Sequence, residues 1–480
     1  MELRFDPSKG EKFWNEISKI PGYPVDEMMP IRTMLFESDA IYKISDVLTK
    51  TGAKKSATLI VVLDETIMGR KGKDLKKELI EILQNAGWNV EIVTLKGGDF
   101  RQVHTDMDQI EFTKQKLTSN CSVLSIGSGV VTDVAKHACY LFQQETNTKL
   151  PFIVFQTANS VSAYTSFLAP VFINGVKRTV NSRYPDALIC DLETLADAPR
   201  EMTVAGVGDM LAGFVSLPDW YLANQLGMDP RYTEFASQLL GPLDEIFLSH
   251  TDKINNRTLD GMSLLAKIIA LGGLAMSLSH ATTPMSGFEH VMSHVLDLQF
   301  ELKNLPLPQH GSQVALATIV GLEMYQEFLK SFDPSTVILD NCYPNPEIMK
   351  KQIINNFNTI DPSGRAGEEC WSDYEQKLEK WNECRDQFSQ VLDNWAHIRQ
   401  RFQEEIRSTE VILKILKSIH APIKWEMLEP KVQESTARFA FMNASLMRKR
   451  MTIGDLFIFT NWDRETLWKQ IWERQQKIIK

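Results

Sequence analysis

The first 195 residues switch repeatedly between two hydrophobic periods. Short apolar, β-rich runs fall at 57–63, 90–95, 121–126, 152–155 and 187–190. Between them apolar positions recur at helical spacing, as at 75–83. Strands alternating with helices predict a mostly parallel sheet covered by helices on both faces. Ligands of such sheets sit beyond the strand ends, in the loops that follow. After Asp191 the pattern changes, and from about Leu195 helical spacing dominates. Asp197-Ala198-Pro199 punctuates the change, which places a domain boundary near 192–200. The expected architecture is an α/β Rossmann-like domain over 1–195 followed by an all-α domain over 196–480. The cleft of such a pair is a natural substrate site.

One stretch of the helical half stands apart. Tyr343-Pro344-Asn345-Pro346 and Asp361-Pro362-Ser363-Gly364 mark loops, and Tyr374, Trp381, Phe388, Trp395 and Phe402 then recur every seventh residue. Trp371, Leu378, Leu392 and Ile406 flank them. The pattern predicts one apolar seam along a long charged helix. The plain reading is a helix packed on its own domain; the alternative is a self-association seam.

Composition narrows the class. At 480 residues the chain exceeds one typical core, so two or more domains are expected. Hydrophobic residues make up 43% and charged ones 24%, ordinary for a globular protein. A net charge of -9 without a basic block argues against nucleic acid as a partner. The N-terminus lacks an apolar signal core, and no uninterrupted apolar run looks long enough for a membrane span. The six cysteines are scattered without a C-x-x-C pair, which points to reduced thiols in the cytoplasm. A small-molecule substrate and a homo-oligomer are the expected partners.

Chemistry enters at Ser125-Ile126-Gly127-Ser128-Gly129-Val130-Val131-Thr132-Asp133-Val134-Ala135-Lys136. An apolar run breaks into a small-residue turn and restarts as a helix. Glycines let a backbone approach a diphosphate, and helix N-terminal amides face it with partial positive charge. Thr132 occupies the third-glycine position of G-x-G-x-x-G, so this is not the usual dinucleotide fingerprint. Three segments follow: Gln156-Thr157-Ala158-Asn159-Ser160 with Tyr164-Thr165-Ser166; Ala205-Gly206-Val207-Gly208-Asp209-Met210-Leu211; and Gly287-Phe288-Glu289-His290-Val291-Met292-Ser293-His294 with His310-Gly311. In this order they resemble the metal-dependent glycerol-1-phosphate dehydrogenase family. Its superfamily also holds glycerol dehydrogenase, iron-containing alcohol dehydrogenase and dehydroquinate synthase. The resemblance runs from about Asp64 to Gln313 and resumes at Met447–Leu456, where Arg448-Lys449-Arg450-Met451-Thr452-Ile453-Gly454-Asp455-Leu456 looks like the closing R-x-R-Y-T-x-x-D-L. Residues of about 340–410 look like an insertion.

The resemblance implies a dehydroquinate synthase-like two-domain architecture, NAD or NADP, and one divalent ion (zinc, nickel or iron). It implies Asp209, His290 and His310 as metal ligands, a set that leaves coordination sites open. His294 lies four residues after His290 on the same helix face. The two could be read as a chelate, but the family pairs the first histidine with the distant one, leaving His294 for proton relay. His250, His280, His397 and His420 read as ordinary histidines. For the cofactor the resemblance implies Asp64 at the ribose, Gly127, Ser128, Gly129, Val130 and Val131 at the pyrophosphate, and Thr157, Ala158, Asn159, Ser160 and Ser166 from a second loop. Ser162, Lys177 and Asp209 fall on the substrate side.

Two positions depart from the family: Ser162 stands where it carries Asp, and Gly213 where it carries Lys. Serine keeps hydrogen bonding but loses charge and reach. The implied reaction is reversible hydride transfer at a secondary alcohol or ketone, with dihydroxyacetone phosphate as leading substrate and another small hydroxy or carbonyl compound close behind. A dehydroquinate synthase-like cyclase is a second reading, which Asp209 disfavours because those enzymes place Glu there. A catalytically silent scaffold is a third, disfavoured by the intact motifs.

Overall fold

A computed structural model describes residues 2–27, 29–97, 103–173 and 176–478. Its centre is a six-stranded sheet of β1 (Thr33–Glu37), β2 (Thr58–Asp64), β3 (Asn89–Leu95), β4 (Cys121–Gly127), β5 (Phe152–Gln156) and β6 (Ala187–Asp191). The strand order is β1-β6-β5-β4-β2-β3, and every pairing is parallel. In β4, β5 and β6 every residue is buried, as two covered faces require. The helix Leu75–Asn85 turns Leu75, Leu79 and Leu83 onto Leu59, Val61, Leu124 and Ile153. Gly127 pairs with Gln156, so the turn after β4 and the loop after β5 open at the same level of the sheet.

Five strands lie where the apolar runs place them. The sixth, β1, is an edge strand whose burial only alternates and which pairs with β6 alone, so it offers no continuous apolar run to read. A separate two-stranded pair, Leu168–Ile173 with Val176–Asn181, was not expected either. After Asp191 every element among the described residues is helical.

Packing divides the chain into two units that interleave along the sequence. The first comprises Met1–Ile173, Lys177–Met210 and Gln238–Leu278; the second comprises Asn174–Val176, Leu211–Ser237 and Ser279–Lys480. The helix Leu259–Leu278 is the one helix among the described residues that, at 20 residues and mean hydropathy 1.7, is long and apolar enough to cross a membrane, although Asp260 and Lys267 interrupt its apolar run. Yet 78% of that stretch is buried inside the protein, and it serves as a core helix of the first unit.

In the second unit the seventh-residue aromatics lie on three helices, Arg365–Glu383, Arg385–Asp393 and Trp395–Glu405, and not on one. The breaks fall at Cys384 and Asn394. A seven-residue repeat drifts by about 20° per heptad around a straight helix, and each break re-aims the next aromatic inward. Tyr374, Trp381, Phe388, Trp395 and Phe402 are all buried. Trp381 stacks on Phe459 at 4.6 Å, Trp395 meets Phe328 at 5.1 Å, and Phe402 meets Tyr221 and Tyr325 at 5.5 Å each. The seam is filled from within the unit and is not a self-association surface.

Candidate active site

In the first unit, β4 ends at Gly127 and the helix Gly129–Thr146 begins one residue later, with Ser128 as N-cap. The turn is compact because its glycines face other side chains. A Cβ on Gly127 would lie 2.5 Å from Val131 Cβ, and one on Gly129 would lie 2.4 Å from Val161 Cγ2. Packing alone therefore demands glycine at both positions. Thr157 N donates to Gly127 O at 3.2 Å, joining the second loop to the turn. The Oγ1 atoms of Thr132 and Thr157 are buried without a hydrogen-bond partner.

The second loop is braced from beneath. Gln156 Nε2 donates to Ala158 O and Asn159 Oδ1, and Asn159 Nδ2 donates to Met262 O at 3.1 Å. Tyr164 Oη donates to Ala158 O at 2.8 Å and lies 3.3 Å from Ser160 Oγ. Ser166 Oγ accepts from Leu168 N and Ser277 Oγ. The side chains of Asn159 and Ser166 thus work inside the protein. Asp64, at the end of β2, accepts from Lys76 Nζ at 2.5 Å and Thr66 Oγ1 at 2.8 Å.

Sequence reasoning quoted Lys136 but gave it no role. It is fully buried, pairs with Asp133 at 2.7 Å, and donates to the carbonyls of Ala163, Ser166 and Leu168. It thereby fixes the segment that carries Ser162. Burial pushes the Asp133 carboxyl above its usual range, against the pull of Lys136. An Asp and a Lys three residues apart on an otherwise apolar helix were the available signal. Ser162 is buried, and its N–H donates to Asp209 Oδ2 at 3.2 Å. Asp209 lies on the helix Arg200–Leu211, one residue before the end of that stretch of the first unit. The Lys177 ammonium stands 5.8 Å from the Phe172 ring centre.

In the second unit, His290 and His294 lie one turn apart on the helix Phe288–Glu301, and His310 begins the helix His310–Ser331. Ring centres are 5.2 Å apart for His290 and His310, 5.7 Å for His294 and His310, and 6.3 Å for His290 and His294. His290 Nδ1 lies 2.9 Å from Glu289 Oε1, and His310 Nδ1 lies 3.1 Å from Ser293 Oγ. His294, Asp297 and His310 bring one donor atom each within 4.8 Å of one another. Asp297 Oδ1 also accepts from Gln313 Nε2 at 2.9 Å.

Sequence reasoning missed Asp219, which ties these helices together. Its Oδ2 accepts Phe288 N at 2.8 Å; its Oδ1 accepts Ile453 N at 2.8 Å and Tyr325 Oη at 2.6 Å. One carboxyl thus holds the starts of the His290 helix and of the closing-motif helix Ile453–Phe459. Burial, with the nearby Glu289 charge, pushes Asp219 up to about 8. Gly213 is the buried first residue of the helix Gly213–Gln225.

Known proteins are similar to this chain in sequence and in fold. The family model described as iron-containing alcohol dehydrogenase matches residues 35–199. A glycerol-1-phosphate dehydrogenase [NAD(P)+] of Bacillus subtilis is 29% identical over 291 residues, covering 59% of this chain and 70% of that protein. One from Methanococcoides burtonii is 28% identical, covering 61% and 76%. This chain is similar to the iron-containing alcohol dehydrogenase family over residues 35–199. Solved structures support the family's two-domain fold. A probable glycerol dehydrogenase of Sinorhizobium meliloti aligns with TM-score 0.55 at 14% identity, covering 93% of this chain and 98% of that one. An iron-containing alcohol dehydrogenase of Thermococcus thioreducens aligns with TM-score 0.56 at 11% identity, covering 92% and 98%.

Proposed function

We propose that this chain is a member of the iron-containing alcohol dehydrogenase family, an NAD(P)-dependent, cation-dependent oxidoreductase of a polyol or polyol phosphate, most like glycerol-1-phosphate dehydrogenase. Curated relatives of that name at 28–29% identity support the assignment. The observation that carries it is the meeting of His290 and His310 from two helices, ring centres 5.2 Å apart. Asp209 completes the proposed ligand set. Two imidazoles and a carboxylate suit zinc, nickel or iron and keep open positions, so the donor chemistry fits a catalytic cation. His290 is taken over His294 as the second imidazole by the family resemblance, which pairs the first histidine of the motif with the distant one.

Bound there, a divalent cation would polarise the substrate oxygen while the nicotinamide ring supplied or accepted hydride. The chain's own residues do the rest. The amides at Gly129–Val131 and the buried Thr157 hydroxyl bind the pyrophosphate, and Asp64 binds the ribose. Ser162 and Lys177 orient the substrate's oxygens, and Lys136 keeps Ser162 in place. His294 passes the proton between substrate oxygen and water. The six free, buried cysteines suit a reducing compartment such as the cytoplasm.

One observation favours a second reading, a changed substrate within the same chemistry. Ser162 and Gly213 depart together from the family's charged residues while the proposed cation ligands are kept. Oxidation of NADH and NADPH by the metal-loaded protein is to be followed over dihydroxyacetone phosphate and other C3–C6 carbonyls. Turnover of dihydroxyacetone phosphate supports the first reading, and turnover of another carbonyl alone supports the second. His310→Ala should lose most of the bound cation, because two remaining ligands chelate weakly. Full cation retention in that variant, or no carbonyl reduced by the parent, would overturn the proposal.

A further inference from the structure

A chain of buried hydrogen bonds behind the histidines has only one consistent direction. Gln313 is fully buried, and its Nε2 donates 2.9 Å bonds to Asp297 Oδ1 and Pro308 O. Both partners are oxygens that only accept, which fixes the amide: nitrogen towards Asp297, Oε1 towards Ser293. Ser293 Oγ, also fully buried, lies 3.2 Å from that Oε1 and 3.1 Å from His310 Nδ1. An amide oxygen cannot donate, so the single serine proton goes to Gln313. The same hydroxyl then accepts from His310, and Nδ1 of His310 carries hydrogen.

The second imidazole reaches the same state from the other side. Glu289 is fully buried; its Oε1 accepts Gly287 N at 2.7 Å and lies 2.9 Å from His290 Nδ1. Oε1 already accepts a backbone N–H and so is the accepting oxygen of this carboxyl, to which Nδ1 of His290 donates. In each neutral ring the lone pair is then on Nε2, the nitrogen that would face a cation.

We propose that Glu289, Ser293 and Gln313 are positioning residues that hold His290 and His310 in the Nδ1–H tautomer, so that both offer Nε2 to a divalent cation. The inference rests on the cation reading above for its purpose, but not for its geometry. A ligating histidine whose other nitrogen is fixed keeps its ring orientation, and losing the fixing partner typically costs ten- to a hundredfold in metal affinity. Asp297, which anchors the relay through Gln313, has a task in the site that does not require it to be a ligand.

The test uses the full chain, labelled with 15N-histidine and stripped of metal, with tautomers read from long-range proton–nitrogen spectra. Signals are assigned by comparison with His290→Gln and His310→Gln. Both rings should carry hydrogen on Nδ1, and a predominant Nε2–H form in either would overturn the proposal. Gln313→Leu should release the Ser293 proton to turn towards His310, shifting that ring to Nε2–H. Zinc affinity, measured by chelator competition, should fall about ten- to a hundredfold. Glu289→Gln, which keeps an accepting oxygen, should preserve the His290 tautomer, whereas Glu289→Leu should not. Unchanged tautomer and zinc affinity in Gln313→Leu would overturn the proposal too. If that variant does not fold, the spectrum of the unsubstituted chain decides. A parent chain that binds no zinc refutes the cation reading, while its spectrum still decides the tautomers.

Discussion

Lys377 offers a sharp stability test, because it joins the helix Arg365–Glu383 to the helix Ile453–Phe459 through a fully buried ion pair. Its Nζ lies 2.6 Å from Asp455 Oδ1 and donates to Ser445 O at 2.6 Å, and both side chains are 0% exposed. Asp455 Oδ2 accepts Thr452 N and Thr452 Oγ1, capping the helix Ile453–Phe459. Burial pushes Lys377 down and Asp455 up, and the partner's charge pulls each back. Lys377→Met keeps most of the buried stem but leaves the Asp455 carboxylate without its cation and Ser445 O without its donor. Removing one member of a buried pair costs about 3–5 kcal/mol. Against a domain stability of about 5–15 kcal/mol, that is a large loss. Urea unfolding followed by tryptophan fluorescence should show it as an earlier transition. Adding Asp455→Asn removes the stranded charge while keeping an oxygen for the Thr452 cap, so the double variant should be more stable than Lys377→Met alone. A loss under about 1 kcal/mol for Lys377→Met, of the size typical for exposed pairs, would refute the reasoning. So would a double variant no more stable than Lys377→Met.

Three further outcomes follow from the geometry. Gly129→Ala should destabilise by about 1–3 kcal/mol through its clash with Val161, and Val161→Ala in the same chain should restore most of it; thermal unfolding in which the pair stays destabilised would count against the steric account. Ser162→Asp should raise kcat/KM about ten- to a hundredfold if dihydroxyacetone phosphate is the substrate, through a charge-assisted hydrogen bond, and should lower native turnover if it is not; an unchanged kcat/KM would show that Ser162 does not face the substrate. The raised Asp219 carboxyl gives a signed pH effect. The folded state holds its proton more tightly than the unfolded chain, so this contribution is complete at low pH and is lost as pH rises towards about 8. Asp219→Asn should flatten the fall in stability over that range, and an unaltered slope would contradict the assignment.

The sheet was legible at β2, β4, β5 and β6, where burial is continuous and the apolar run is broken inside the strands only by Ser122 and Ser125. It was illegible at β1, whose five residues only alternate in burial, although β3 at the other edge was legible from its apolar residues at 90–95. The motif order led to His290, His294 and His310 because ligand chemistry restricts residue type at each position. The residues behind them were harder to see. Gln313 and Asp219 act through partners far along the chain, Asp297 at 16 residues and Ile453 at 234, and no local pattern encodes such a pairing. The seven-residue aromatic repeat revealed an inward face but not its two breaks, because a period gives the direction of side chains and not the curvature of the surface they meet.

The helix Leu259–Leu278 also bears on the order in which the protein can acquire its structure. Met262 O, Ala270 O and Ser277 Oγ hold Asn159, Thr165 and Phe167, across separations of 103, 105 and 110 residues. During synthesis the sheet strands leave the ribosome well before this clamp exists. The segment 159–167, held until then only by Lys136, Gln156 and its own tyrosine, waits for this second set of anchors until more than a hundred further residues have been made. Long loops of this kind must close before their contacts repay the entropy, which slows folding. A fragment ending near residue 199, the span of the family match, would contain the whole six-stranded sheet and still lack the piece that sets the loop beside it. Until this apolar helix emerges, the surface it covers is exposed on the nascent chain, where it can misassemble.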